Sequence, residues 1–123
     1  MKRTILIADD SVTTRFTLAR LLRDKLGDCD VEEAVDGSQA LQCLNSRHYD
    51  LMILDLGMPV LSGYEVLKRL PEGFAQATPI VVLTGRERSD DIAWCYEKGA
   101  TYYFSKPVEL NGFLGAIAGL LQN

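Results

Sequence analysis

Short apolar runs alternate with segments of helical spacing along the whole chain, and that alternation constrains the fold more than any other feature. The runs are residues 5–8, 31–35, 51–54, 80–83 and 102–104. Each is short enough to read as a strand. After the first run, Val12, Phe16, Ala19, Leu22 and Leu26 line one helical face, and Gly27 follows as a stop. A second helical segment covers about 38–47, with Ala40, Leu41 and Leu44. A third follows Gly63 and carries Val66, Leu67 and Leu70 up to Pro71. A fourth starts at Ser89, a good N-cap with Asp90 and Asp91 in the first turn, and stops at Gly99. The last begins after Pro107, with Leu110, Phe113, Leu114, Ile117 and Leu121.

Five β-α units in succession predict an α/β fold, a parallel sheet covered by helices on both faces. The first, third and fourth runs are continuously apolar and belong at the sheet centre. The second contains Glu32 and Glu33 and suits an edge, and the aromatic fifth suits the other. The expected architecture is a doubly wound five-stranded sheet of order 2-1-3-4-5, flanked by five helices.

At 123 residues the chain is expected to form one domain over 1–123. With 47% hydrophobic residues it buries enough surface to fold without a disulfide or a structural metal. A net charge of −4 argues against direct nucleic-acid binding, which calls for a basic face. Cys29, Cys43 and Cys95 are odd in number and far apart, and read as small free hydrophobes in a reducing compartment. The lone His48 cannot build a histidine metal site. There is no run of about 18 apolar residues and no signal-peptide core, so a cytoplasmic protein without membrane contact is expected. Gly112, Gly115 and Gly119 interrupt the last helix at about 0.8–1 kcal/mol each. Packing has to offset that cost, and close approach of a second helix, as in a dimer, is one way.

In an open parallel sheet, ligands bind at the carboxyl ends of the strands, near the point where strand order reverses. Asp9 and Asp10 follow the first strand, Asp55 the third, Thr84 the fourth, and Ser105, Lys106 and Pro107 the fifth. Each has a bland reading. Asp10 or Ser11 caps a helix, Asp55 forms a turn, Thr84 caps, and Lys106 is a solvated lysine. Together, at the corresponding ends of four strands, they define one polar rim. Three clustered carboxylates repel one another unless a cation sits among them. A hard divalent ion held by carboxylate, carbonyl and water oxygens meets that need, and Mg²⁺ is the natural candidate.

These features together make the chain resemble the receiver domain of two-component response regulators, the single-domain chemotaxis type included. The matching stretches are "DD" after the first strand, Asp55 in "LDLGMP", Gly63 in "SGYEVL", "LTG" after the fourth strand and "KP" after the fifth. The resemblance spans essentially the whole chain and implies a flavodoxin-like fold. It implies that Asp55 is the phosphoacceptor. It also implies that Asp10, Asp55 and the Gly57 carbonyl ligate Mg²⁺, with Asp9 acting through water. Lys106 would pair with a phosphoryl oxygen, Thr84 would donate its hydroxyl, and the Gly85 N–H would add a second donor. The phosphoryl group would come from the phosphohistidine of a sensor kinase or a phosphotransfer protein, and would later be lost to water. Such transfer is mostly positioning and charge stabilisation. Output would be a conformational bias in which Thr84 is drawn in and Tyr103 turns inward. The fourth helix, fifth strand and last helix would then form the surface read by a partner or an output domain. That surface is also the one a homodimer would use. A cis Lys106–Pro107 bond is implied as well.

Several positions depart from the family pattern. Gly57 stands two residues after the acceptor and Arg86 two after Thr84, and both flank the path of an attacking water. Ser62 replaces the commoner Asp before Gly63, and Tyr102 sets a second aromatic beside Tyr103. Three competing readings have specific requirements. A flavin binder of the same fold needs hydroxyls and glycines after the first strand, where "ADDSVTT" places acids. A hydrolase using Asp55 as nucleophile needs a substrate pocket, usually from inserted segments. A degenerate receiver would lack part of the set Asp9, Asp10, Asp55, Thr84 and Lys106, which is intact here.

Overall fold

A computed structural model describes residues 2–85 and 89–122. In chain order the elements are β1 (Arg3–Ala8), α1 (Val12–Leu26), β2 (Cys29–Ala34), α2 (Gly37–Ser46), β3 (Leu51–Leu54), α3 (Gly63–Lys68), α4 (Phe74–Ala77), β4 (Ile80–Thr84), α5 (Ser89–Glu97), β5 (Tyr102–Ser105) and α6 (Leu110–Leu121). The five strands pair in parallel in the order β2-β1-β3-β4-β5. This is the expected doubly wound sheet, with the expected edges. β3 and β4 are buried along their whole length, as is β1 from Ile5 to Ala8, whereas β2 and β5 are mostly half-exposed.

Alternation along the strands sends side chains to two cores. On one face Leu6, Met52, Leu54, Ile80 and Val82 meet Ala40, Leu44, Val66, Leu67 and Cys95 from α2, α3 and α5. On the other, Ile5, Ile7, Ile53, Val81 and Leu83 meet Leu18, Ala19 and Leu22 of α1 and Phe113, Ile117 and Leu121 of α6. Full burial of side chains such as Ile117 contributes about 1.5–3 kcal/mol each. Side chains cap the starts of α1, α2 and α3. Ser11 accepts from the Thr14 N–H, Asp36 from Gln39, and Ser62 from Glu65. Ser62 therefore performs the capping for which an aspartate would serve equally well. The three cysteines are free, with Cys29 and Cys95 buried and Cys43 half-buried.

The structure corrects the sequence reading in three places. The described residues form six helices, because α4 adds a single turn between α3 and β4. It has four residues, none buried, and Gly73 before it offers no side-chain cap, so it left no periodic signal. Next, α3 ends at Lys68, with Leu70 beyond it. Third, the buried face of α1 is Arg15, Leu18, Ala19 and Leu22, while Val12 and Phe16 are 68% and 65% exposed. The helix is turned from the all-apolar stripe because Arg15 finds buried partners. On α6, Gly115 and Gly119 face open space, with nothing within 4 Å of where a side chain would begin.

Candidate functional site

The parallel register places the two decisive strand ends side by side. Ala8 is level with Ala34 on one side and with Leu54 on the other. The ladder runs one residue further, Asp9 N–H donating to the Ala34 carbonyl at 3.0 Å and Asp55 N–H to the Ala8 carbonyl at 2.9 Å. Asp9 and Asp55 thus leave the sheet at the same height, at 2% and 6% exposure, with Asp10 exposed beside them. One carboxylate oxygen from each of the three lies within 4.8 Å of the others.

The chain after β5 brings a cation to the same place. Lys106 N–H donates to the Thr84 carbonyl at 2.9 Å, and the Lys106–Pro107 bond is cis. Lys106 Nζ stands 2.8 Å from Asp9 Oδ2 and 3.3 Å from Asp55 Oδ2. Burial pushes the Asp9 carboxyl above its ordinary value, against the opposing hydrogen bonds from Lys106 and from the Ser11 N–H. Burial also works against the Lys106 ammonium, but the hydrogen bond and charge of Asp9 and the charge of Asp55 outweigh it and raise its pKa. Among the described residues the cluster is acidic in excess, with one ammonium, that of Lys106, against three carboxylates.

That donor set suits a hard divalent cation. Six oxygens about 2.1 Å from such an ion stand roughly 3–4.2 Å apart, a spacing that the observed cluster can meet with little movement. All donors are oxygens, and the exposed Asp10 leaves one side open to water.

The other expected residues border this group. Gly57 N–H donates to Asp55 Oδ1 at 3.1 Å, so the turn-forming reading of Asp55 holds alongside the clustered one. In the same way Ser11 N–H donates to Asp9 Oδ1 at 2.8 Å. Thr84, 1% exposed, ends β4, and Gly85 follows at the exposed rim. Tyr103 is half-buried against the core of the α2–α5 face, its N–H donating to the Tyr96 hydroxyl at 3.1 Å. Tyr102 points to the opposite face, its ring 6.1 Å from that of Phe104. Arg86 lies outside the described residues.

Sequence reasoning missed two supports. A Cβ on Gly37 would lie 2.0 Å from the Leu61 carbonyl oxygen, so α2 packs directly on the loop after Asp55. Arg15 Nη1 donates to the Asp9 carbonyl oxygen at 2.7 Å and its Nε to Glu33 at 2.9 Å. The signal for Arg15 was its spacing, in phase with Leu18, Ala19 and Leu22, which marks a charge on a buried face.

Comparison with known proteins gives a consistent result. The family model described as response regulator receiver domain matches residues 5–118. The sensor protein EvgS of Escherichia coli strain K12 is 39% identical over 110 residues, which is 89% of this chain and 9% of EvgS. Protein PilG of Pseudomonas aeruginosa is 34% identical over 114 residues, 92% of this chain and 83% of PilG. The chain therefore spans most of one of these relatives and a small part of the other. Among solved structures, the chemotaxis response regulator CheY4 of Vibrio cholerae superposes with a TM-score of 0.85 at 29% identity, covering 98% of this chain and 100% of CheY4.

Proposed function

The chain belongs to the response regulator receiver domain family, and from that premise we propose that it is a phosphoacceptor switch over residues 1–123 with Asp55 as the acceptor. The donor is the phosphohistidine of a sensor histidine kinase or phosphotransfer protein. An Asp55 carboxylate oxygen attacks phosphorus in line, forming the acyl phosphate P–O bond as the P–N bond breaks and its electron pair returns to the imidazole. The convergence of Asp9, Asp10 and Asp55, with Lys106 against two of them, carries this reading.

Asp9, Asp10, Asp55 and the Gly57 carbonyl would hold Mg²⁺. When bound, the ion neutralises the cluster and offers positive charge to the phosphoryl oxygens. The chain's own groups do the rest. Lys106 exchanges its carboxylate partners for a phosphoryl oxygen. The Thr84 hydroxyl and the Gly85 N–H donate to the same group, stabilising charge where it develops. The acyl phosphate is later lost to water within the same domain, so the chain catalyses nothing beyond its own phosphorylation and dephosphorylation.

Drawing Thr84 inward favours an inward Tyr103, since both border the α2–α5 face of the sheet. The surface of α5, β5 and α6 then changes for a partner or an output domain, and that face would also serve a homodimer. Switching requires only that the phosphoryl group stabilise one of two existing arrangements. A cytoplasmic setting belongs to this reading, and the free cysteines suit a reducing compartment. The test is intact mass after incubation with acetyl phosphate and MgCl₂. A phosphoryl-sized gain in the unsubstituted protein, absent in Asp55→Asn and absent with EDTA, is expected. Equal gain in Asp55→Asn overturns the assignment.

A further inference from the structure

Among the described residues Arg15 is the only basic side chain in the buried set, at 8% exposure. Its Nη1 donates to the Asp9 carbonyl oxygen at 2.7 Å and its Nε to Glu33 Oε1 at 2.9 Å, on the edge strand β2. As packing alone this is a poor choice, because a methionine or leucine would fill the space without the cost of desolvating a charge. What the guanidinium holds indicates its use. The Asp9 carbonyl and the Asp10 N–H belong to one planar peptide unit. Asp9 is fixed from other sides too, by its N–H to Ala34, by the Ser11 N–H on Oδ1 and by Lys106 on Oδ2. Asp10 is exposed, so the peptide plane that precedes it sets where its side chain begins.

We propose that Arg15, itself held by Glu33, is a positioning residue for the three-carboxylate cluster. By pinning the Asp9–Asp10 peptide it sets the stance of the Asp10 carboxylate, and so controls divalent-cation affinity through the backbone. The inference rests on the reading of this cluster as a Mg²⁺ site. It makes the ion's affinity depend on the contact between α1 and the edge strand, away from the mouth of the site.

The sign of the effect separates positioning from simple electrostatics. Removing a positive charge near an acidic cluster makes the local field more negative, which on its own tightens cation binding. Loss of an outer contact that orients a ligand weakens it, typically by 10–100-fold. The test is calorimetric titration of the intact chain with MgCl₂, comparing the unsubstituted protein with Arg15→Gln, Arg15→Lys and Leu22→Val. Leu22 lies on the same helix face, away from the cluster, and controls for loosening of α1. Urea melts establish that each variant is folded. The expected result is affinity weakened about tenfold in Arg15→Gln. In Arg15→Lys, which keeps the charge but loses the planar fork that reaches both partners, a smaller weakening is expected. Leu22→Val should be unchanged. Equal or tighter binding in the Arg15 variants, or the same weakening in Leu22→Val, overturns the proposal. Should Arg15→Gln fail to fold, Arg15→Lys decides alone. Absence of binding in the unsubstituted protein overturns the metal-site reading and this inference with it.

Discussion

A Cβ placed on Gly63 would stand 2.2 Å from the carbonyl oxygen of Asp55 and 2.7 Å from the Leu56 Cα. The start of α3 therefore lies directly against the backbone of the proposed acceptor, and Gly63 N–H donates back to the Leu56 carbonyl at 3.0 Å. Both neighbours are main chain and cannot rotate away. Gly63→Ala is expected to lower stability by about 1–3 kcal/mol, as overpacking does, and to displace Asp55. A lower urea midpoint together with slower labelling by acetyl phosphate checks this. A variant that matches the unsubstituted protein in both contradicts it.

Lys106 holds Asp9 and Asp55 at once, which gives its removal two opposite effects. Lys106→Met deletes the ammonium that would share these carboxylates with a metal ion, so Mg²⁺ is expected to bind more tightly. It also deletes the proposed donor for the phosphoryl oxygens, and loss of one such donor costs roughly 10²–10³ in rate. Calorimetry and timed intact-mass measurements should therefore move in opposite directions. Parallel loss of both would mean that Lys106 acts only by holding the fold.

Away from the site, Tyr49 has no exposed surface, and its hydroxyl donates to Glu32 Oε1 at 2.5 Å. Burial first, and then this hydrogen bond, push its pKa far above the ordinary tyrosine value. An unfolded tyrosine ionises near pH 10 while the folded one keeps its proton. The unfolded state therefore binds fewer protons above pH 10, and stability falls there by up to about 1.4 kcal/mol per pH unit. Urea melts from pH 8 to 11 should show this decline in the unsubstituted protein and a shallower one in Tyr49→Phe. Equal slopes would contradict the account of this buried pair.

Most of the fold was legible because its central strands are short continuous apolar runs, and two-sided burial leaves no other pattern. The edges were legible from Glu32 and Glu33 in β2 and from the aromatics of β5. Helix α1 was read in the wrong rotation because an apolar count treats Arg15 as a surface residue. Only tertiary structure shows the Asp9 carbonyl and Glu33 waiting for it. α4 escaped because one turn with no buried side chain carries no period. At the site, strand-end logic found the carboxylates, Thr84 and Lys106 but could not choose between Tyr102 and Tyr103. The pleat separates the two, sending Tyr103 to the α2–α5 face and Tyr102 away from it. Val60, at φ +66 just past Asp55, gave no signal, since β-branched residues rarely adopt left-handed backbone.

The most direct measurement identifies the residue that carries the phosphoryl group. Borohydride reduces an aspartyl phosphate to homoserine, so a protein treated with acetyl phosphate and Mg²⁺, then reduced and digested, records the site in its peptide masses. Homoserine at position 55, dependent on both the phosphodonor and Mg²⁺, is the expected result. Homoserine at Asp9 or Asp10 instead, or at no aspartate, would contradict the assignment of Asp55.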